Sequence, residues 1–170
     1  MASGRDNHLT KAIGEYLVCA ELCRRGYLAT SFTGNVPDYD ILAINDKCKT
    51  LPIQVKAIKS TSWQLDAAKY LDISHGRTGI QKLQGKKRLQ NSKLICVFVK
   101  IALEGTGEKD EFYLFRQRDL QKLIARGYRS WLKKCHGKRP RNPESTHTAV
   151  SPKELNKYRG NWGLLKEEYR

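Results

Sequence analysis

Pro37-Asp38-Tyr39-Asp40-Ile41-Leu42-Ala43-Ile44, a polar break at Asn45-Asp46-Lys47, and then Leu51-Pro52-Ile53-Gln54-Val55-Lys56-Ala57-Ile58-Lys59 form the stretch whose reading decides the fold of this 170-residue chain. Each half is a short run of β-branched and apolar residues bounded by turn formers, which is the pattern of a strand. Asn45-Asp46-Lys47 suits the turn of a hairpin. Side chains alternate across a strand, so Gln54 and Lys56 share one face while Ile53, Val55 and Ala57 share the other. Asp40 opens the first strand. The hairpin thus offers a carboxylate, an amide oxygen and an ammonium around one small volume.

Upstream, residues 8–25 read as a helix, with Leu9, Ala12, Ile13, Tyr16, Leu17 and Ala20 forming an apolar stripe. Asn7 or Thr10 suits its N-cap, and Gly26 its C′ position. Glu15 falls at the border of the stripe, where a carboxylate needs a partner. That partner is either Lys11, one helical turn earlier, or a metal ion or catalytic lysine. Tyr27 to Phe32 reads as a strand and Thr33-Gly34-Asn35 as a loop.

Downstream, residues 63–73 are ambiguous between strand and helix, with a strand favoured at Trp63-Gln64-Leu65. Residues 74–93 read as a basic loop in which Lys82, Lys86, Lys87 and Arg88 either touch phosphate or are solvated surface. Leu94 to Ile101 is an almost unbroken apolar run, as in a central strand buried on both faces. Phe112 to Phe115 returns as its hairpin partner through Glu104-Gly105-Thr106-Gly107. Residues 117–134 form a second helix with Leu120, Leu123, Ile124, Gly127, Trp131 and Leu132 inwards. A basic, proline-broken loop with Arg139 and Arg141 fills 136–150, and Ser151-Pro152-Lys153-Glu154 is a capping box that restarts helix. This order predicts one α/β domain, a sandwich with a mixed central β-sheet flanked by helices. Its core spans 8–134, and a basic loop and C-terminal helices fill 135–170.

The chain has 32 Lys and Arg against 17 Asp and Glu, a formal net charge of +15. Such an excess argues for a polyanionic partner, of which nucleic acid is the commonest. The five cysteines form no Cys-x-x-Cys pair, which argues against zinc and for reduced thiols in a cytoplasmic setting. The first residues lack the apolar segment of a secretion signal, and no apolar run reaches membrane-spanning length, so no membrane is expected as a partner.

Asp40 ahead of Ile41-Leu42-Ala43, Gln54-x-Lys56 on the next strand, and Gly14-Glu15 in a helix ending at Arg25-Gly26-Tyr27 together resemble the PD-(D/E)xK nuclease superfamily, over roughly residues 8–60. Gln54 stands where that family usually has a second acid. The Gln-x-Lys variant is similar to that of some group I intron homing endonucleases, and Holliday-junction resolvases belong to the same resemblance. It implies a restriction-endonuclease-like fold and metal-dependent hydrolysis of DNA phosphodiester bonds. It further implies Mg²⁺ or Mn²⁺ held by Asp40 with Glu15 and Gln54, and Lys56 orienting the attacking water or stabilising the transition state. Asp38 is a rival for the place of Asp40, less well set because it does not directly precede the apolar strand. Lys82, Lys86, Lys87, Arg88, Arg139 and Arg141 would contact DNA, and a homodimer or homotetramer would allow both strands to be cut. Two other readings remain open: a nucleic-acid-binding protein that kept the fold without the chemistry, which Gln54 favours, and a basic structural protein.

Overall fold

The computed structural model describes residues 4–32 and 38–168. In chain order its elements are α1 (Gly4–Arg24), β1 (Leu28–Ser31), β2 (Ile41–Ile44), β3 (Thr50–Ile58), β4 (Trp63–Asp66), a 3₁₀ turn (Ala67–Lys69), β5 (Leu71–His75), β6 (Gln81–Lys86), β7 (Ile95–Lys100), β8 (Glu111–Arg116), α2 (Gln117–Lys134), β9 (His147–Val150), α3 (Pro152–Leu155), a second 3₁₀ turn (Asn156–Tyr158) and α4 (Gly163–Glu168). They gather into two compact units. The first comprises Met1–Trp63, Leu94–Arg116 and Ser151–Arg170, and the second Gln64–Lys93 and Gln117–Val150.

The first unit is built on a five-stranded sheet in the order β1-β2-β3-β7-β8. Strands β1, β2 and β3 form an antiparallel meander, β3 and β7 run parallel, and β8 returns antiparallel to β7. The sheet is therefore mixed and flanked by helices, as expected. The apolar run at 95–99 is the fully buried central strand that its composition predicts. At the β2–β3 turn Asn45 Oδ1 accepts from the Lys47 and Lys49 amides at 3.0 and 2.9 Å, which is the local bonding that makes Asn a turn former.

Helix α1 packs its Val18 and Leu22 into an aliphatic core with Ile41, Ile53, Val55, Val97, Val99 and, from α4, Leu164 and Leu165. Gly14 sets how closely the helix lies on the sheet: a Cβ there would come within 2.4 Å of Ala57 Cβ on β3. The helix starts at Gly4, so Asn7 and Thr10 lie inside it and do not cap it. Its other end matches expectation. Gly26 has φ 83°, its amide donates to Cys23 O at 3.0 Å, and Tyr27 N donates to Leu22 O at 3.1 Å. These are the two bonds of a Schellman stop. Trp63, Phe98, Phe115, Tyr113 and Tyr158 form an aromatic cluster, with Trp63–Phe98 and Phe98–Phe115 ring centroids at 5.1 and 5.0 Å. At Ser151 the capping box forms as read, with its amide and hydroxyl both donating to Glu154 Oε2 at 2.9 and 2.7 Å.

In the second unit the sequence reading needs correcting. Residues 74–93 are not a continuous loop: β5 and β6 form an antiparallel hairpin with a bulge between Asp72 and Ile73. Leu71 and Gln81 are buried, and Lys82, Gln84 and Lys86 are exposed at every second position. This period-2 pattern is masked because the lysine content dominates the segment. Likewise β9 interrupts the supposed loop at 136–150 and pairs with β4. Helix α2 buries Leu120, Ile124 and Leu132 as expected, but also Gln121, Ala125 and Tyr128, while Gly127 is exposed. Its inner face is rotated because a polar side chain, Gln121, has a buried task.

Candidate active site

Asp40 is fixed by the backbone of β3. Its amide donates to Ile53 O at 2.9 Å, and its Oδ2 accepts from Val55 N at 2.8 Å. Continuing the β2–β3 register by one residue from Ile41↔Ile53 sets Asp40 opposite Gln54. Asp38 is exposed and has φ 73°, a left-handed turn residue two positions away, so Asp40 and not its rival is built into the sheet. Pro37 and the loop at Thr33-Gly34-Asn35 lie outside the described residues.

Glu15 and Asp40 meet through one cation. Lys11 Nζ lies 3.5 Å from Glu15 Oε1 and 3.6 Å from Asp40 Oδ1; the two carboxylate side chains are 13% and 19% exposed, the lysine 53%. The close helix–strand approach at Gly14 places the neighbouring Glu15 at this edge. Burial raises the Glu15 pKa above the ordinary carboxylate range, the Lys11 ammonium opposes the rise, and the Asp40 charge adds to it. Both readings of Glu15 thus meet in the same atoms: Lys11 is its partner, and Lys11 also joins it to the motif.

Gln54 and Lys56 stand on the other face of β3 from Ile53 and Val55, in register with Cys96 and Phe98 of β7. The buried Cys96 thiol, its pKa pushed up to about 12 by burial and moved down by Lys56 and up by Asp40, stays protonated. Its Sγ lies 4.0 Å from Gln54 Oε1, the far limit of a thiol hydrogen bond. The Lys56 carbonyl accepts from Trp63 Nε1 at 3.0 Å, which holds the strand at the lysine. Asp40 is the common member: it shares Lys11 with Glu15, and it shares the field at Cys96 with Lys56. Sequence reasoning missed Cys96, although a cysteine within the central apolar run was the available signal.

Two carboxylates and an amide oxygen are hard donors of the kind that Mg²⁺ takes, and that ion keeps several waters, so one or two carboxylates suffice. The position of the Lys11 ammonium marks where the two carboxylates favour a cation. Asp40 and Glu15, with charged oxygens, and Gln54, with a neutral one, are therefore the residues that could hold a divalent ion. Among the described residues no three His, Cys, Asp or Glu side chains cluster as metal ligands. The donor set is thus one charge poorer than with an acid at position 54.

The basic residues separate. Lys82 and Lys86 project from β6, with Lys87 and Arg88 just beyond, and Arg141 is exposed. Arg139 is occupied within its own unit: its guanidinium lies 4.3 Å from the Trp131 ring centroid and 5.7 Å from that of Tyr128, and it donates to His147 O. No helix among the described residues is long and apolar enough to cross a membrane.

No protein-family model matches the sequence, and no curated protein matches it. Among solved structures, the chain is similar in fold to the bacterial homing endonuclease I-Ssp6803I, with a TM-score of 0.52 and 14% sequence identity, across 98% of this chain and 95% of that one.

Proposed function

We propose that this protein is a metal-dependent DNA endonuclease, a Gln-x-Lys variant of the PD-(D/E)xK type. The observation that carries this reading is the meeting of Glu15 and Asp40 on one ammonium at the edge of the strand that bears Gln54 and Lys56. The fold likeness to a homing endonuclease supports it. A bound Mg²⁺ or Mn²⁺ would offset the charge that builds on the phosphate and lower the pKa of a water. Asp40, fixed by the Val55 amide, would be the main ligand. Glu15 would supply the second negative charge, and Gln54 would offer a neutral amide oxygen. Lys56 stands as a fixed cation for the attacking water and the transition state.

Supercoiled plasmid incubated with the protein and Mg²⁺ or Mn²⁺ tests the reading, and cleavage is expected. Asp40→Asn, which keeps an acceptor for Val55 N, and Lys56→Ala should each abolish cleavage. Cutting at the wild-type rate by either variant would overturn the assignment. A second reading, a DNA-binding protein without the chemistry, is favoured by the neutral Gln54 and by Lys11 standing between the carboxylates. Retarded but intact plasmid selects it.

A further inference from the structure

Helix α2 carries six Lys and Arg on 18 residues, against one acidic residue, Asp119. Five of the six stand in one row. At about 100° per residue, Arg118, Lys122, Arg126, Arg129 and Lys133 fall within an arc of about 80°, over about 22 Å of helix. All five are exposed. The inner side of the helix is pinned within the second unit. Gln121 Nε2 donates to Tyr70 O at 2.8 Å and to Lys87 O at 2.7 Å, the residues just before β5 and just after β6. Tyr128 OH donates to Gln81 Oε1 on β6. These bonds clamp the helix to the hairpin and stop it from turning the row inwards.

A helix face that is merely solvated usually mixes its signs, and this one does not. Successive members of the row are three or four residues apart, so each cation neighbours the next, and like charges at that spacing destabilise a helix. Among the described residues, only Lys122 of the five has an ion-pair partner, Asp119 Oδ1 at 3.3 Å. Arg118 stands in the first turn, where the helix dipole favours an anion. Lys133 alone is favoured by the dipole, in the last turn. The free protein thus holds the row against its own repulsion, and a row of anions would relieve it. The unit that carries α2 holds 16 Lys and Arg against four Asp and Glu, whereas the first unit holds 16 against 13.

Resting on the DNA reading above, we propose that the outer row of α2 is a phosphate-binding ridge that lies against the DNA backbone and holds any duplex irrespective of sequence. Three of its five members are arginines, whose planar forks take phosphate oxygens two at a time. The row sets a cation every 4.5–6 Å or so along the helix, and each strand of B-DNA has a phosphate per about 3.4 Å of axis. The long, flexible stems let the charges follow the strand as it winds. An anionic bilayer is the other surface that suits a basic helix, but such a helix also needs an apolar face free to enter lipid. The apolar side of α2 is buried within its own unit, and the large exposed hydrophobic residues, Leu9, Tyr16, Leu28, Ile80 and Leu103, all lie off it.

Anisotropy of labelled duplexes of unrelated sequence, titrated with the full-length protein across a salt series, tests this. Changing Arg118, Lys122, Arg126, Arg129 and Lys133 together to glutamine keeps long stems and good helix formers. The slope of log K against log salt should flatten by up to about 4.5, at about 0.9 per phosphate contact, and equally on every duplex. Helical circular dichroism and melting temperature should hold or rise, because the repulsion is gone. Arg126→Gln and Arg129→Gln singly should each remove about 0.9 of slope, which keeps the test open if the fivefold variant folds poorly. A control with Lys47, Lys109, Lys153, Lys157 and Lys166 of the first unit changed to glutamine removes the same formal charge and should leave the slope near wild type. If the α2 variants keep the wild-type slope, the ridge falls and the DNA reading stands. If the control flattens the slope as much, overall charge holds the DNA and the ridge falls. If the loss depends on duplex sequence, the row reads bases and the proposal also falls. If wild type binds no duplex at all, the DNA reading falls and the ridge with it.

Discussion

Lys11 stands 3.5 and 3.6 Å from two carboxylates that are themselves mostly buried, and its chemistry makes it a competitor for any divalent cation at that place. Replacing it by methionine keeps the stem and removes the charge. Lys11→Met should therefore bind Mn²⁺ more tightly, by about tenfold if the lost competition equals a single partly screened pair of about 1.4 kcal/mol. Titration followed by the Mn²⁺ spin signal checks this, and an unchanged midpoint would show that Lys11 only solvates the edge. Gln54→Glu should tighten the same midpoint by restoring the missing charge, and Glu15→Gln should weaken it. Glu15 carries a second, independent signature. Its folded pKa is raised, chiefly by burial, above the ordinary 4.5. The folded protein then holds that proton more firmly than the unfolded chain. The resulting stability is fully present below the unfolded value and is lost as pH rises through the folded one. Glu15→Gln removes this loss, so the stability of the variant relative to wild type should rise as pH climbs from 4.5 through the raised folded value. Thermal melts across the mildly acid range measure it, and parallel curves would refute the burial argument. Asp40, Gln54 and Lys56 were legible because each sits at a fixed offset on a strand. The second partner of Lys11 was not, because only the folded sheet brings Asp40 to helix α1.

At the scale of elements, strong periodicity survived contact with the structure and mixed composition did not. The buried run at 95–99, the meander before it and the capping box at Ser151 were all readable, since each is decided by neighbours in sequence. The β5–β6 hairpin was hidden by its lysines, and the face of α2 was misjudged because nothing local announces that Gln121 must reach Tyr70 and Lys87. Gly14 belongs with the second kind. In the sequence it is a weak point in a helix; in the fold it is the contact with Ala57. Gly14→Ala should gain up to about 1 kcal/mol of helix propensity yet lose more by overpacking, about 1–3 kcal/mol. Adding Ala57→Gly should recover much of the loss, and the coupling read from chemical denaturation of the double-mutant cycle decides the matter. Additive effects would mean that α1 yields freely. Gln121→Leu tests the hairpin clamp in the same way. It strands the Lys87 carbonyl at about 1–3 kcal/mol, while Tyr70 O keeps the Lys87 amide as its donor, so hydrogen exchange of the β5 and β6 amides should accelerate.

Charge is distributed by unit and not by chain. Of the formal +15, the unit built on the hairpin and α2 carries +12 and the unit containing Glu15, Asp40, Gln54 and Lys56 carries +3. The composition showed the excess at once, but its segregation appears only when two separate stretches, 64–93 and 117–150, are seen to form one body. A polyanion bound chiefly by phosphate contacts releases about 0.9 counterion per phosphate neutralised on B-DNA. Five to eight contacts, ordinary for such a charge, give a slope of log K against log salt of about −5 to −7. If the second unit makes those contacts, Lys86→Ala, Lys87→Ala and Arg88→Ala together should flatten the slope by up to about three and weaken binding to all sequences alike. A matched triple change at exposed lysines of the first unit, Lys47, Lys109 and Lys153, removes the same formal charge. It should leave the slope close to wild type, because net charge alone acts through a screened long-range field and releases no bound counterions. Fluorescence anisotropy of a labelled duplex across a salt series measures all three proteins. Equal flattening by both triples would mean that the polyanion is held by overall charge, and a wild-type slope from the Lys86-Lys87-Arg88 variant would move the contacts elsewhere in the second unit, to Arg141 or the exposed side of α2.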